Sequence, residues 1–193
     1  VASVQGNKHY LAEGEAGFED GTLNYLAIPA VENGLKFIEA IGVETIHERV
    51  RCLTGWLLDT LPELRHSNGK QLIKLYGPTE TGMRGGAVTM NFYDPDDRII
   101  DHLFIEKISS DANISLRTGC FCNPGGGEIA LELSKPELIT CFSQEKQGLT
   151  FDDFRLCIDG KASGAVRVSF GLASNFADAY SFVQFAQGFV NKK

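Results

Sequence analysis

Residues 164–171 read GAVRVSFG, and residues 174–190 read SNFADAYSFVQFAQGFV. The first stretch is rich in valine and lies between glycines, which predicts a short strand. The second places apolar residues at helical spacing behind Ser174 or Asn175, either of which can cap a helix. A strand followed by a patterned helix predicts a sheet that is covered by helices.

Upstream, the signals alternate between strand and helix. They are QLIKLYG (71–77) and GGAVTMNFYD (85–94) as strands, DPDD (94–97) as a turn, DHLFIEKISSDAN (101–113) as a helix and ISLRTG (114–119) as a short strand. In the second strand, Val88, Met90 and Phe92 alternate with polar residues, which predicts one buried face. The loop, strand and turn residues fit a compact domain with short connections.

Two helices are predicted before these strands. Residues 22–41 have helical spacing, with Thr22 as a possible cap and Gly42 as a stop, although Pro29 implies a kink. Residues 43–64 form an amphipathic pattern. The resulting order predicts an α/β fold with an α+β small domain, in which a small mixed or antiparallel sheet is covered by helices.

Composition excludes several classes of function. The chain has 193 residues and a net charge of −7, from 25 acidic and 18 basic side chains. Nucleic acids and anionic membranes are bound through basic patches, so neither is an expected partner. No apolar run approaches the roughly 18 residues of a membrane-spanning helix, and the first residues do not resemble a secretory signal. We therefore expect a cytoplasmic protein whose five cysteines are reduced.

Residues 117–127, RTGCFCNPGGG, carry the strongest chemical signal. A cysteine is a useful nucleophile as the thiolate, and Arg117 could lower the pKa of a nearby thiol. Two cysteines one residue apart can equally be small apolar fillers of a core. A zinc site is not expected, because structural zinc sites use more widely spaced cysteines and a second matched pair.

Two other stretches have both a structural and a functional interpretation. Arg167 interrupts an apolar strand, so it either faces water at an edge or binds a carboxylate through its planar fork. Gly21 and Thr22 of FEDGT (18–22) could hold a phosphate at a helix N-terminus, or Thr22 could be a simple cap. When each stretch is considered alone, the structural interpretation is the more common one.

Taken in order, FEDGT, the helix pair, RTGCFCNPG and VRVSFG resemble the C-terminal part of class V aminotransferase-fold enzymes. The nearest branch is the desulfurase-like domain of molybdenum cofactor sulfurase. The resemblance implies a PLP-dependent fold type I transferase, here a cysteine desulfurase-like sulfurtransferase that acts on L-cysteine and works as a homodimer. It implies that the sulfur passes to the molybdenum cofactor or to a carrier protein.

The resemblance also implies site residues. Cys122 takes the sulfur as a persulfide, and Arg167 binds the substrate carboxylate. Gly21 and Thr22 contact the phosphate of pyridoxal 5′-phosphate (PLP). Arg117 and Asn123, within the cysteine motif, are expected to shape the substrate site.

The resemblance has one departure that affects activity. The family's cofactor-binding lysine lies upstream of FEDGT, and no lysine of this chain has the expected setting. We therefore expect a C-terminal fragment, inactive alone, in which residues 1–41 are a remnant of the cofactor-binding domain and 42–193 are the small domain. Two alternatives stay open: a class V aminotransferase or lyase without sulfur transfer, and a non-catalytic dimerisation or interaction domain.

Overall fold

The computed structural model describes residues 2–5, 8–19, 21–119, 124–132 and 164–193. The chain divides into two compact units, residues 1–45 and residues 46–193, and the division falls inside a helix.

The first unit contains a hairpin and a helix. Its elements are β1 (Ala2–Gln5), β2 (Lys8–Leu11), a 3₁₀ helix (Gly14–Phe18), α1 (Ala30–Ile41) and the first turn of α2 (Val43–Thr60). Strands β1 and β2 pair in antiparallel fashion. Among the side chains described for residues 9–19 and 21–45, none is buried.

The start of α1 corrects the expected helix over 22–41. The helix begins at Ala30, behind Pro29, and residues 25–29 form turns instead. Proline disfavours a helical conformation in the residue before it, so the apolar pattern upstream of Pro29 does not continue as helix. The predicted stop is correct, since Gly42 follows the last residue of α1 with a φ of 92°. Glycine takes this left-handed conformation without strain.

The second unit contains a four-stranded sheet and its helices. After α2 come a 3₁₀ turn (Leu61–Glu63), β3 (Ile73–Tyr76), β4 (Ala87–Phe92), α3 (His102–Asp111), β5 (Arg117–Gly119), α4 (Pro124–Ala130), β6 (Ala165–Ser169) and α5 (Phe176–Gln187). The strand order is β3-β4-β6-β5, and every neighbouring pair is antiparallel. This confirms the predicted small sheet with helices.

One face of the sheet packs against helices. Val88, Met90 and Phe92 of β4 are fully buried, as their alternation predicted. They join a single apolar core with side chains of α2, α3 and α5, among them Leu57, Ile105 and Phe182. Burying apolar area of this kind contributes about 25 cal/mol per Å² and is the main stabilising term of such a core.

The helix ends follow local capping rules. Asp101 caps α3 by accepting a hydrogen bond from the Leu103 amide. At α5, the Asn175 side chain accepts a hydrogen bond from the Asp178 amide, and the Asp178 carboxylate accepts one from the Asn175 amide. This reciprocal capping box satisfies two amide groups that a helix start otherwise leaves unpaired.

Candidate functional site

Strand β6 points Arg167 away from the apolar core. Its neighbours Val166 and Val168 are 1% and 7% exposed and face the helices. Successive side chains of a strand project to opposite faces, so Arg167 lies on the other face of the sheet, where it is partly exposed. The apolar residues on either side of Arg167 thus fix which way it faces.

The strand register sets Arg167 in a row of polar residues. Thr89 of β4 and Arg117 of β5 both pair directly with Arg167, and Tyr76 of β3 pairs with Thr89. Directly paired residues share a face of the sheet, so all four belong to this face. This side of the sheet, which carries Tyr76, Thr89, Arg117 and Arg167, is the open face. The sequence alone did not predict that Arg117 and Arg167 are paired.

The pairing of Arg117 with Arg167 has an electrostatic consequence. Like charges directly opposite one another on neighbouring strands repel, which lowers the stability of the pairing. An anion close to both guanidinium groups offsets this repulsion, and a carboxylate matches the fork geometry of arginine. The row is therefore suited to bind a carboxylate.

Strand β5 is anchored from the helix side. Thr118 pairs with buried Val166, and its hydroxyl donates a hydrogen bond to Glu106 of α3 over 2.5 Å. An edge strand of three residues has few backbone hydrogen bonds of its own. The Thr118–Glu106 bond helps to hold β5 in register, and with it the position of Arg117.

Two glycines, Gly119 at the end of β5 and Gly164 just before β6, lie where these two strands meet. Gly119 has a φ of 111°, a conformation that other residues rarely adopt. A side chain on Gly164, which leads into β6, would lie 3.0 Å from the Gly119 Cα atom and 2.9 Å from the His102 ring. The two strands thus approach each other too closely here for a residue larger than glycine at position 164.

The cysteine motif itself is only partly described. Cys120, Cys122 and Asn123 lie outside the described residues, so the roles predicted for Cys122 and Asn123 stay predictions. The chain is described again from α4, which begins at Pro124. Two residues after this helix, the Glu132 carboxylate lies 3.9 Å from the Lys74 Nζ atom on β3.

The open face carries polar residues that sequence reasoning missed. Lys74 pairs with Asn91, one row beyond Tyr76 and Thr89. Asn91 is 2% exposed, and its amide nitrogen has no acceptor among the described residues. Burial, with contributions from nearby Tyr93 and Glu132, raises the pKa of Tyr76. The sequence pattern that could have identified these residues is the alternation of Lys74, Thr89 and Asn91 with apolar residues along their strands.

Gly21 and Thr22 are placed differently from the expectation of a helix N-terminus. Both lie in a bend well before α1 and are exposed, so Thr22 does not cap that helix. No heavy atom lies within 4 Å of the position that a side chain on Gly21 would take. The phosphate contact predicted for Gly21 and Thr22 stays a prediction.

The described part of the chain shows neither a membrane-spanning helix nor a metal site. None of its helices is long and apolar enough to cross a bilayer. Within the same residues, no group of three or more His, Cys, Asp or Glu side chains is arranged to hold a metal ion. His66, which carries no motif, has a structural role: it accepts a hydrogen bond from the Asn191 amide and contacts the Tyr93 carbonyl.

The fold is that of cysteine desulfurases. The chain superposes on a cysteine desulfurase from Thermococcus onnurineus NA1 with a TM-score of 0.60 and 20% identity, over 99% of this chain and 37% of that one. A cysteine desulfurase from Escherichia coli gives a TM-score of 0.54 at 12% identity, over 96% of this chain and 35% of that one. At these identities the likeness concerns the fold alone.

Sequence comparison identifies the family of this chain. Residues 1–182 match the model of the aminotransferase class-V family, and the chain belongs to this family. It is 38% identical to the molybdenum cofactor sulfurase of Solanum lycopersicum, over 90% of this chain and 21% of that protein. The corresponding protein of Homo sapiens is 32% identical, over 87% of this chain and 19% of its own length. The chain thus spans about a fifth of the length of these relatives. The predicted family is confirmed, and so is the predicted resemblance to molybdenum cofactor sulfurases.

Proposed function

We propose that this chain is part of a PLP-dependent sulfurtransferase of the molybdenum cofactor sulfurase type, which takes sulfur from L-cysteine. The observation that carries the proposal is the direct pairing of Arg117, the first residue of the cysteine motif, with Arg167 on the open face. It is supported by the match to sulfurases over most of the chain. A carboxylate site beside a cysteine is what the reaction requires of this region.

Arg167 is assigned to the substrate carboxylate, through two parallel hydrogen bonds from its guanidinium group. Arg117, directly opposite, adds a second positive charge to the same row. The anchoring of β5 through Thr118 then acts on substrate binding indirectly, by positioning Arg117.

Cys122 is assigned as the sulfur acceptor. Its thiolate attacks the sulfur of L-cysteine; the C–S bond of the substrate breaks, a proton takes the place of sulfur on the departing carbon, and alanine and a Cys122 persulfide result. PLP, when bound, supplies the electron sink that this bond cleavage needs. Gly21 and Thr22 would contact its phosphate in a homodimer, and Asn123 would shape the loop. The lysine that binds the cofactor would come from chain outside these residues, so the fragment alone is proposed to be inactive.

The persulfide then passes its outer sulfur to an acceptor, which we propose to be the molybdenum cofactor or a carrier protein. The three glycines at 125–127 lie inside α4, and because glycine weakens a helix, they would make it easier for this helix to unwind as the motif moves between substrate and acceptor. Cytoplasmic location remains part of this proposal.

The test uses the full-length protein and follows alanine release and persulfide formation from L-cysteine. Cys122→Ala is expected to abolish the persulfide while cofactor absorbance is unchanged, and Cys120→Ala serves as the matched control. Full sulfur transfer by Cys122→Ala, with loss in Cys120→Ala, would overturn the assignment.

The same assay tests Arg167. Arg167→Ala is expected to raise the KM for L-cysteine by about 10- to 100-fold, the size of a lost charged hydrogen-bond pair, with a smaller change in kcat. Arg98→Ala, an exposed arginine on a turn, is the control. A KM that stays unchanged in Arg167→Ala would show that Arg167 is structural.

One observation favours a second function, a dimerisation or interaction module. Val31, Leu35 and Ile38 lie on one side of α1 at helical spacing and are 59%, 61% and 39% exposed. The full-length protein separates the two functions: an interaction module assembles in sedimentation but neither shows cofactor absorbance with PLP nor releases alanine from L-cysteine, whereas the sulfurtransferase does both.

A further inference from the structure

A cleft opens where strands β5 and β6 separate. Their pairing ends at Arg117 and Arg167. Two residues further along the same register, no backbone hydrogen bond joins Ser115 to Ser169. The cleft at this place has a volume of about 700 Å³, which lies within the roughly 300–1,000 Å³ of sites that bind ligands. None of the described residues assigned to sulfur transfer lines it.

The end of α3 keeps the two strands apart. The Ile114 amide donates a hydrogen bond to the Ser109 carbonyl of α3 over 2.8 Å. Asn113 has a φ of 56°, the left-handed conformation that often ends a helix. Together these features hold the connection between α3 and β5 beside the helix, so Ser115 does not reach Ser169. The cleft is thus shaped by the main chain and not by movable side chains.

Strand β6 directs main-chain groups into the cleft. The Phe170 amide donates a hydrogen bond to the Gly86 carbonyl over 2.9 Å, so Phe170 is paired on the β4 side. Successive residues of a strand direct their N–H and C=O groups to opposite sides, so those of Ser169 point away from β4, toward the cleft. Ser169 and Ser115 are both exposed, and the main chain of neither is hydrogen-bonded within the described residues.

The rest of the lining is partly apolar and almost free of charge. Ile114, Phe170 and Phe185 line the cleft, pack against the core and remain partly exposed. Among the described lining residues, Asp178 is the one charged side chain, and its carboxylate accepts the hydrogen bond from the Asn175 amide at the start of α5. A charged ligand would lose hydration here without gaining an ionic partner, so the cleft favours an uncharged one.

We propose that the cleft binds an extended, uncharged segment of a partner protein, which adds a strand beside Ser169 where β5 has separated from β6. An extended chain carries N–H and C=O groups along both of its edges, so it pairs with Ser169 on one edge and meets Ser115 on the other. Its side chains alternate between the two sides of the sheet. Apolar side chains on the helix side contact Phe185 and Ile114.

The first test is calorimetric titration of the full-length protein with the uncharged peptide acetyl-TVTVT-amide. Saturable binding is expected. The same peptide with N-methyl groups on both valines keeps its side chains but loses the amide donors of one edge. It should bind about tenfold more weakly, the size of two main-chain hydrogen bonds. Absence of saturable binding, or equal binding of the two peptides, would overturn the proposal.

A matched pair of variants locates the site. Ser181 and Gln187 are both exposed on α5, but only Ser181 lines the cleft. Ser181→Trp is expected to fill the cleft and weaken peptide binding at least tenfold, whereas Gln187→Trp should leave it unchanged. Thermal midpoints show that both variants fold, and the N-methylated peptide decides the matter on the unchanged protein if one does not. Undiminished binding by Ser181→Trp would contradict the proposal. An oligomer that the peptide dissociates in sedimentation would assign the cleft to a second copy of this chain instead.

Discussion

At the scale of single residues, the neighbours along a strand determine on which face of the sheet a side chain lies. Residues distant in the sequence determine which side chains it is paired with. Arg167 faces away from the core because Val166 and Val168 occupy the buried positions of the same strand. Its pairing with Arg117 arises from the register of two strands that are far apart in the sequence. The first property could be predicted from the sequence, and the second could not.

Cys52 shows how one contact controls a thiol. It is exposed, and its Sγ atom donates a hydrogen bond to Glu48 over 3.3 Å. This hydrogen bond, together with partial desolvation and the carboxylate charge, raises the pKa of the thiol. A raised pKa means that less thiolate is present at any pH below it, so alkylation is slow.

We therefore expect Glu48→Gln to make Cys52 react several times faster with iodoacetamide at pH 7.5. The substitution removes the carboxylate charge and frees Arg51, whose positive charge stabilises the thiolate, so both changes lower the thiol pKa. Mass spectrometry of the Cys52 peptide measures the rate. Glu44→Gln, one turn earlier on the helix, is the control, and equal rates in the two variants would contradict the prediction.

At the scale of elements, the sequence predicted most of the strands and helices. The strands at 73–76, 87–92 and 165–169 and the helices at 102–111 and 176–187 lie within the predicted stretches. Their boundaries carry local signals, such as Asp101 and Asn175 as caps. The predicted helix start at residue 22 was wrong, because Pro29 outweighs a periodic apolar pattern in the residues before it.

The capping box of α5 gives a prediction at this scale. Asn175→Ala removes the acceptor for the Asp178 amide and should lower the free energy of unfolding by about 1 kcal/mol. Urea denaturation followed by circular dichroism measures the change. Gln187→Ala, exposed at the other end of the helix, should have little effect; a loss as large as that of Asn175→Ala would show that the box itself is not responsible.

At the scale of the whole molecule, the two units differ in how their apolar residues are used. The second unit buries a continuous core between its sheet and helices, whereas no described side chain of the first unit beyond residue 8 is buried. The stability of the chain by itself is therefore expected to come from residues 46–193.

Phe92 tests this core. It is fully buried and meets Phe189 edge to face, with 5.3 Å between the ring centroids. Phe92→Ala should lower the free energy of unfolding by about 3–5 kcal/mol, through lost burial and the cavity that remains. Phe104→Ala, at a helical position that is 51% exposed, is the matched control. Chemical denaturation measures both, and similar losses would mean that Phe92 is not a central part of the core.

The sequence by itself determined most strands and helices of the second unit, the buried faces of β4 and β6 and the family, because alternation, caps and motifs are properties of short stretches. Tertiary structure alone decided the strand order β3-β4-β6-β5. That order brings Arg117 opposite Arg167 and groups Lys74, Tyr76 and Asn91 on one face. These pairings depend on register between distant segments, which is set when their apolar faces pack into one core and not by any local preference.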